Sequence, residues 1–176
     1  MKSLALLALA LLTIVAARAE DPATFEVGGL KFARPADWKW VEVTSPMRKA
    51  QLKVPGASAE QSADITFFHF GAGGGGDVAS NAQRWLAQFK SPEGASKIEP
   101  QEIAGTKVTL VTTEGTFSSG MPGGPATVVE NAALLGAIIE GAEGSVFIKT
   151  TGPAPLVKGL RQKFLEFITA ALPAKK

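Results

Sequence analysis

The run Ala63-Asp64-Ile65-Thr66-Phe67-Phe68-His69-Phe70 constrains the fold more than any other stretch of the chain. In an extended conformation Ile65, Phe67 and His69 project to one side and Thr66, Phe68 and Phe70 to the other. Three phenylalanines within four residues make both sides apolar, so this strand is expected inside a sheet that is covered on both faces. A glycine-rich turn, Gly71 to Gly76, follows it. Asp77 or Ser80 then caps a helix whose Val78, Ala82, Trp85, Leu86 and Phe89 form one apolar stripe, with Trp85 facing the sheet.

The rest of the chain repeats this alternation of strand and turn. Phe25-Glu26-Val27 and Leu30-Lys31-Phe32 flank Gly28-Gly29, a pair that takes positive φ, and read as a short hairpin. Pro35 ends that pairing, and residues 38–43 read as an extended run with Trp38 as a core anchor and Trp40 on the same side. Residues 50–54, 98–103, 107–117, 134–140 and 145–150 read as strands, the last two joined by Gly141-Ala142-Glu143-Gly144. Pro155 suits the first turn of a final helix that keeps Leu156, Leu160, Phe164, Phe167, Ile168 and Ala171 on one face. Tight turns rather than crossover helices predict an antiparallel sheet. The expected fold is therefore α+β, an antiparallel β-sheet flanked by helices on both faces.

Residues 1–19 read as a signal peptide, with Lys2 at the start, an apolar stretch from Leu4 to Val15, and the small-x-small site Ala17-Arg18-Ala19. The expected mature protein is a single domain of residues 20–176, periplasmic or secreted, with no membrane insertion after cleavage. Cleavage leaves 157 of the 176 residues and removes Lys2 and Arg18, so sixteen basic residues face sixteen acidic ones. A neutral domain without basic clusters has little electrostatic attraction for nucleic acid or anionic lipid. The chain has no cysteine, so no lipid anchor forms at the leader.

The order of elements, with Gly29-Leu30-Lys31-Phe32 leading through Pro35-Ala36-Asp37 to Trp38 and a long amphipathic helix after the glycine turn, resembles the PsbP-like family of α-β-α sandwiches. The chain also resembles exported bacterial members in which a loop like Met121-Pro122-Gly123-Gly124-Pro125 precedes a strand like 135–140 and a Thr-Gly-Pro like Thr151 to Pro153. The resemblance spans roughly Phe25 to Leu172. It implies a non-catalytic binding scaffold, and no functional residue is carried over from it.

The remaining motifs are weak as chemistry. Gly71 to Gly76 satisfies G-x-G-x-x-G between a strand and a helix, but the acid at ribose distance, Glu93, sits in a turn, and Asp77 and Val78 stand where a phosphate loop needs Lys and Ser or Thr. A plain strand-to-helix turn is the stronger reading, and no cofactor is expected. One histidine and no cysteine make no zinc site of the usual type, so no metal is expected. His69 is the sole titratable base near neutrality, but no Gly-x-Ser-x-Gly elbow presents a serine to it. Asp64, Glu114, Glu130 and Glu140 are isolated acids.

The expected binding residues are Met121, Pro122, Gly123 and Gly124, an adaptable apolar contact on an exposed loop, together with Trp40 and His69. The function expected is a non-catalytic domain engaging a protein or cell-envelope component through its loops. The alternatives are a secreted hydrolase using carboxylates or His69, and a small-ligand carrier with a pocket between sheet and helix.

Overall fold

The computed structural model describes residues 21–120 and 127–173; the leader and Met121, Pro122, Gly123 and Gly124 lie outside the described residues. Ten strands and three helices follow one another as β1 (Thr24–Val27), β2 (Leu30–Ala33), β3 (Lys39–Trp40), β4 (Arg48–Val54), β5 (Ala63–His69), α1 (Val78–Leu86), β6 (Phe89–Lys90), β7 (Lys97–Ile103), β8 (Thr106–Ser119), β9 (Thr127–Ile139), β10 (Val146–Pro153), α2 (Ala154–Gly159) and α3 (Arg161–Ala171). All pairings are antiparallel. The main sheet runs β3-β4-β5-β10-β9-β8-β6, with β7 also paired to β8, and β1 and β2 form a separate hairpin. The fold is α+β, as the tight turns predict.

Two hydrophobic clusters follow from the period of two along the strands. On β9, Ala133, Leu135, Ala137 and Ile139 join Ile148, Phe67 and the α2 and α3 residues Val157, Phe164 and Ile168. The alternate residues Ala132, Leu134 and Ile138 join Phe147, Val111 and the α1 residues Ala82 and Trp85. The first cluster holds the aromatic centre of the molecule. Phe167 stacks within 5.3 Å of Phe32 and 5.1 Å of Trp38, while Phe25 and Phe32 each meet Phe67 at just over 5 Å between centroids.

Five expectations need correction. The run 38–43 contributes only the two-residue β3, because Trp38 lies in a turn: its N–H donates to the Pro35 carbonyl and its own carbonyl accepts from Arg34. That turn drives the indole into the core, where it is fully buried. The α1 stripe stops at Leu86, and Phe89 instead begins β6 opposite Phe117. The final helix is divided at Leu160, just after Gly159, although hydrogen bonds from Leu160 N–H to Leu156 and from Phe164 N–H to Leu160 carry the coil across. Strand β9 is far longer than 134–140, because it pairs along nearly the whole of the 14-residue β8.

The coverage of β5 is also uneven. Ile65 and Phe67 are fully buried, as expected, but Phe68 is half-buried and Phe70, just beyond the strand, is 42% exposed. The nine-residue α1 is too short to cover that end of the sheet.

Candidate functional site

The uncovered end of the α1 face is a groove of about 730 Å³. Its floor is β5 and β10, where Phe68 stands opposite Phe147 and Thr66 opposite Lys149. One wall is α1, with Asn81, Arg84 and Trp85. The other is apolar, made of Phe70 and Met47, which is 60% exposed, and Gly75 and Gly76 close the end.

Two backbone positions shape it. Gly136 of β9 is the register partner of Lys149, and a Cβ there would stand 2.5 Å from Cζ3 of Trp85, so only glycine lets the indole come this close to the sheet. Gly75 has φ +83°, and a Cβ on it would stand 2.8 Å from both the Phe70 and Phe147 rings. The Gly75 end of the glycine turn is thus a packed wall. Its conformation is held by Asn81, whose buried amide donates to the carbonyls of Gly75 at 2.7 Å and Asp77 at 2.9 Å.

The charges in the groove are both positive. Lys149 rises from a central strand, donates to the Gln88 side-chain carbonyl, and lies 5.1 Å from the centroid of the Phe117 ring. Arg84 donates to Oδ1 of Asn81, so the residue that fixes the glycine turn also orients the guanidinium. Burial pushes the Lys149 ammonium down to about 8, and the neighbouring Arg84 charge adds to the shift. Among the described residues no carboxylate stands within ion-pair distance of either cation. The groove therefore combines an aromatic interior with two cations that lack a counter-ion.

The residues singled out from sequence lie elsewhere. Trp40 is on the edge strand β3, half-buried, with its ring 5.4 Å from that of Phe25. His69 ends β5 on the opposite face from the groove, with Nδ1 3.3 Å from the Ser145 carbonyl and Gly28 packed so closely that a Cβ would lie 2.7 Å from the ring. Trp40 is in register, through Leu52, with Ile65, four residues from His69 and about 13 Å away along the strand. The two do not form one site. The loop from Met121 to Gly124 lies outside the described residues, between the ends of β8 and β9, where Val128 is 60% exposed.

The acids are also separated. Asp64 lies 3.8 Å from Lys53, and Glu114 pairs with Lys158 at 2.8 Å. Three strand spacings separate them, about 14 Å, and they project to opposite faces of the sheet. Among the described residues no three His, Asp or Glu side chains are grouped to hold a metal ion. Asp77 caps α1 by accepting from the Ser80 N–H at 2.8 Å, so the helix end that follows the glycine turn is filled by the chain's own carboxylate.

Arg84 and Lys149 were not singled out from sequence. The signal for Lys149 was present, a lone cation in the apolar run Val146-Phe147-Ile148-Lys149-Thr150. Arg84 gives no such signal, since an arginine beside an apolar stripe is ordinary on a solvated helix face.

No protein-family model matches the chain, and no curated protein matches it significantly. Among solved structures, it is similar to PA94 from Pseudomonas aeruginosa, a protein of unknown function, with 13% identity over 87% of this chain and 97% of that one and a TM-score of 0.47. It is also similar to cyanobacterial PsbP (CyanoP) from Synechocystis sp. PCC 6803, with 11% identity over 81% of this chain and 85% of that one and a TM-score of 0.49. Neither likeness says anything of what this chain binds. Among the described residues no helix is long and apolar enough to cross a membrane.

Proposed function

We propose that this chain is an exported, non-catalytic binding domain of PsbP-like α-β-α sandwich type, and that its binding site is the groove between α1 and the sheet. One observation carries the reading: among the described residues Lys149 and Arg84 stand without a carboxylate partner in a groove with four aromatic side chains in its lining. An ammonium desolvated on a central strand is costly to keep, and a ligand that meets it offsets the cost. The sandwich part of the reading is supported by the alternation along β9, which sends successive residues to clusters containing α1 or α2 and α3.

Native mass spectrometry of gently purified protein tests the site. A co-purifying small-molecule mass is expected, and it is lost when Met47 and Phe70 are both changed to Ala. Clean apo masses for both proteins overturn the reading. Export is tested separately by fractionation and N-terminal sequencing, with Glu20 expected as the first residue of the mature protein.

A second reading keeps a protein or envelope partner at the loop of Met121, Pro122, Gly123 and Gly124. It is favoured by the exposed Val128 and Val129 on the strand that leaves this loop. Pull-down from an envelope fraction with and without residues 121–125 decides it, and identical partner lists count against the loop.

A further inference from the structure

We propose that the groove binds an amphipathic carboxylate, whose single anionic headgroup meets Lys149 and Arg84 and whose apolar body lies against Phe68, Phe70, Phe147 and Met47. The proposal rests on the groove being the binding site and adds the chemistry of its ligand.

The charge count comes first. The ammonium of Lys149 has three N–H donors, of which one goes to Gln88, while the Phe117 ring lies beneath the cation. Arg84 gives one of its five donors to Asn81. Donors of both cations are left for an acceptor, and a carboxylate offers two oxygens that a guanidinium and an ammonium engage together. Charge-assisted hydrogen bonds of this kind gain strength where aromatic walls exclude water.

The walls then select what the headgroup is attached to. Four of the lining side chains are aromatic and Met47 is an adaptable apolar contact, so the remainder of the ligand is apolar. A volume of about 730 Å³ falls within the range of about 300–1,000 Å³ for small-molecule sites. A nucleotide or polyphosphate fits poorly. It brings more negative charge than two cations neutralise, and Asp77, directly after the lining residue Gly76, places a carboxylate where the helix N-terminus would otherwise receive phosphate.

The protonation of Lys149 makes the interaction sensitive to pH, and the groups facing it do not titrate in the same range. Arg84 from α1 is the charged one; β5 contributes Thr66 and Phe68, β9 contributes Gly136, β8 contributes Phe117, and the segment after α1 contributes Gln88, none of which titrates. His69 projects to the opposite face.

Titration of the purified protein with dodecanoate, dodecanol and dodecyltrimethylammonium, each below its micellar range and followed by calorimetry, tests the proposal. Saturable binding of dodecanoate is expected, with the neutral and cationic amphiphiles weaker by about tenfold or more. Lys149→Met and Arg84→Gln should each weaken dodecanoate by about tenfold, Lys149→Arg should keep most of the affinity, and circular dichroism should show all three folded. Dodecanoate affinity should also fall between about pH 7 and about pH 9.5 as Lys149 loses its proton. Equal binding of the three amphiphiles, unchanged by Lys149→Met, overturns the carboxylate and leaves the groove standing as the site. Binding of none of them overturns the amphipathic carboxylate, and clean apo masses in the native spectrum overturn the groove as the site as well.

Discussion

The six-membered ring of Trp85 packs against Gly136, with room for no side chain between the indole and the backbone of β9. Gly136→Ala therefore pushes α1 off the sheet. It is expected to destabilise the protein by about 1–3 kcal/mol, the range for overpacking a filled core, and to weaken dodecanoate binding. A urea melt followed by far-UV circular dichroism checks the first effect, and an unchanged midpoint would contradict the packing described.

Lys149 lowers stability in the absence of ligand. Its folded-state pKa of about 8 lies below the ordinary value of 10.5, so between these two pH values the unfolded chain binds more protons and stability rises with pH. Lys149→Met keeps the packing stem and removes the charge. The variant should be the more stable protein at pH 7, by about 1–3 kcal/mol, and the difference should shrink as pH rises from about 8 to about 10. Denaturant midpoints of both proteins across that range measure it.

Asn81 joins the glycine turn to the guanidinium. Asn81→Ala leaves the Gly75 carbonyl without its donor and Arg84 without its acceptor, while the Asp77 carbonyl keeps the backbone N–H of residue 81, at an expected cost of about 1–3 kcal/mol. Dodecanoate affinity should fall as well, and Asn81→Asp, which gives Arg84 a carboxylate of its own in place of the ligand's, should lower it at least as far. Calorimetry on the two variants separates loss of orientation from loss of fold.

Thr150 is fully buried, and among the described residues its hydroxyl has no hydrogen-bond partner. Val is close to Thr in shape and suits a strand. Thr150→Val is expected to stabilise by about 1 kcal/mol, read as a rise in melting temperature with ligand binding unchanged.

Phe167 is the hub of the aromatic centre, touching Phe32, Trp38 and Phe67. Phe167→Ala should cost about 3–5 kcal/mol. A loss below about 1 kcal/mol would show that the rings close over the cavity.

Features set by local chemistry were the legible ones. Gly28 and Gly29 announce the β1–β2 turn and adopt φ +56° and +74° there. Asp77 announces the start of α1, alternation marks β4 and β8, the run of phenylalanines marks β5, and the Gly141 to Gly144 turn marks β10. Trp38 was misplaced because the alternation of its neighbours outweighed the turn signal of Pro35, and Phe89 because helical periodicity does not show where a helix ends. The groove was illegible for a different reason. Lys149 and Thr66 are register partners 83 residues apart, and no local pattern reports that the cation of one strand meets Arg84 of a helix. The demand that both sides of β5 be covered failed at Phe68 and Phe70, the residues that wall the groove.

The groove is complete only where β5 and β10 join. Everything through Arg84 precedes β10 in the chain, so one half supplies the aromatic walls, the glycine turn and the guanidinium, and the other half supplies Phe147 and the ammonium. Closing so long a loop is entropically slow. Before that seam closes, the groove does not exist in either part, and a ligand bound as proposed above would hold the two parts together. Occupancy would then register successful maturation of the whole chain and slow its reopening.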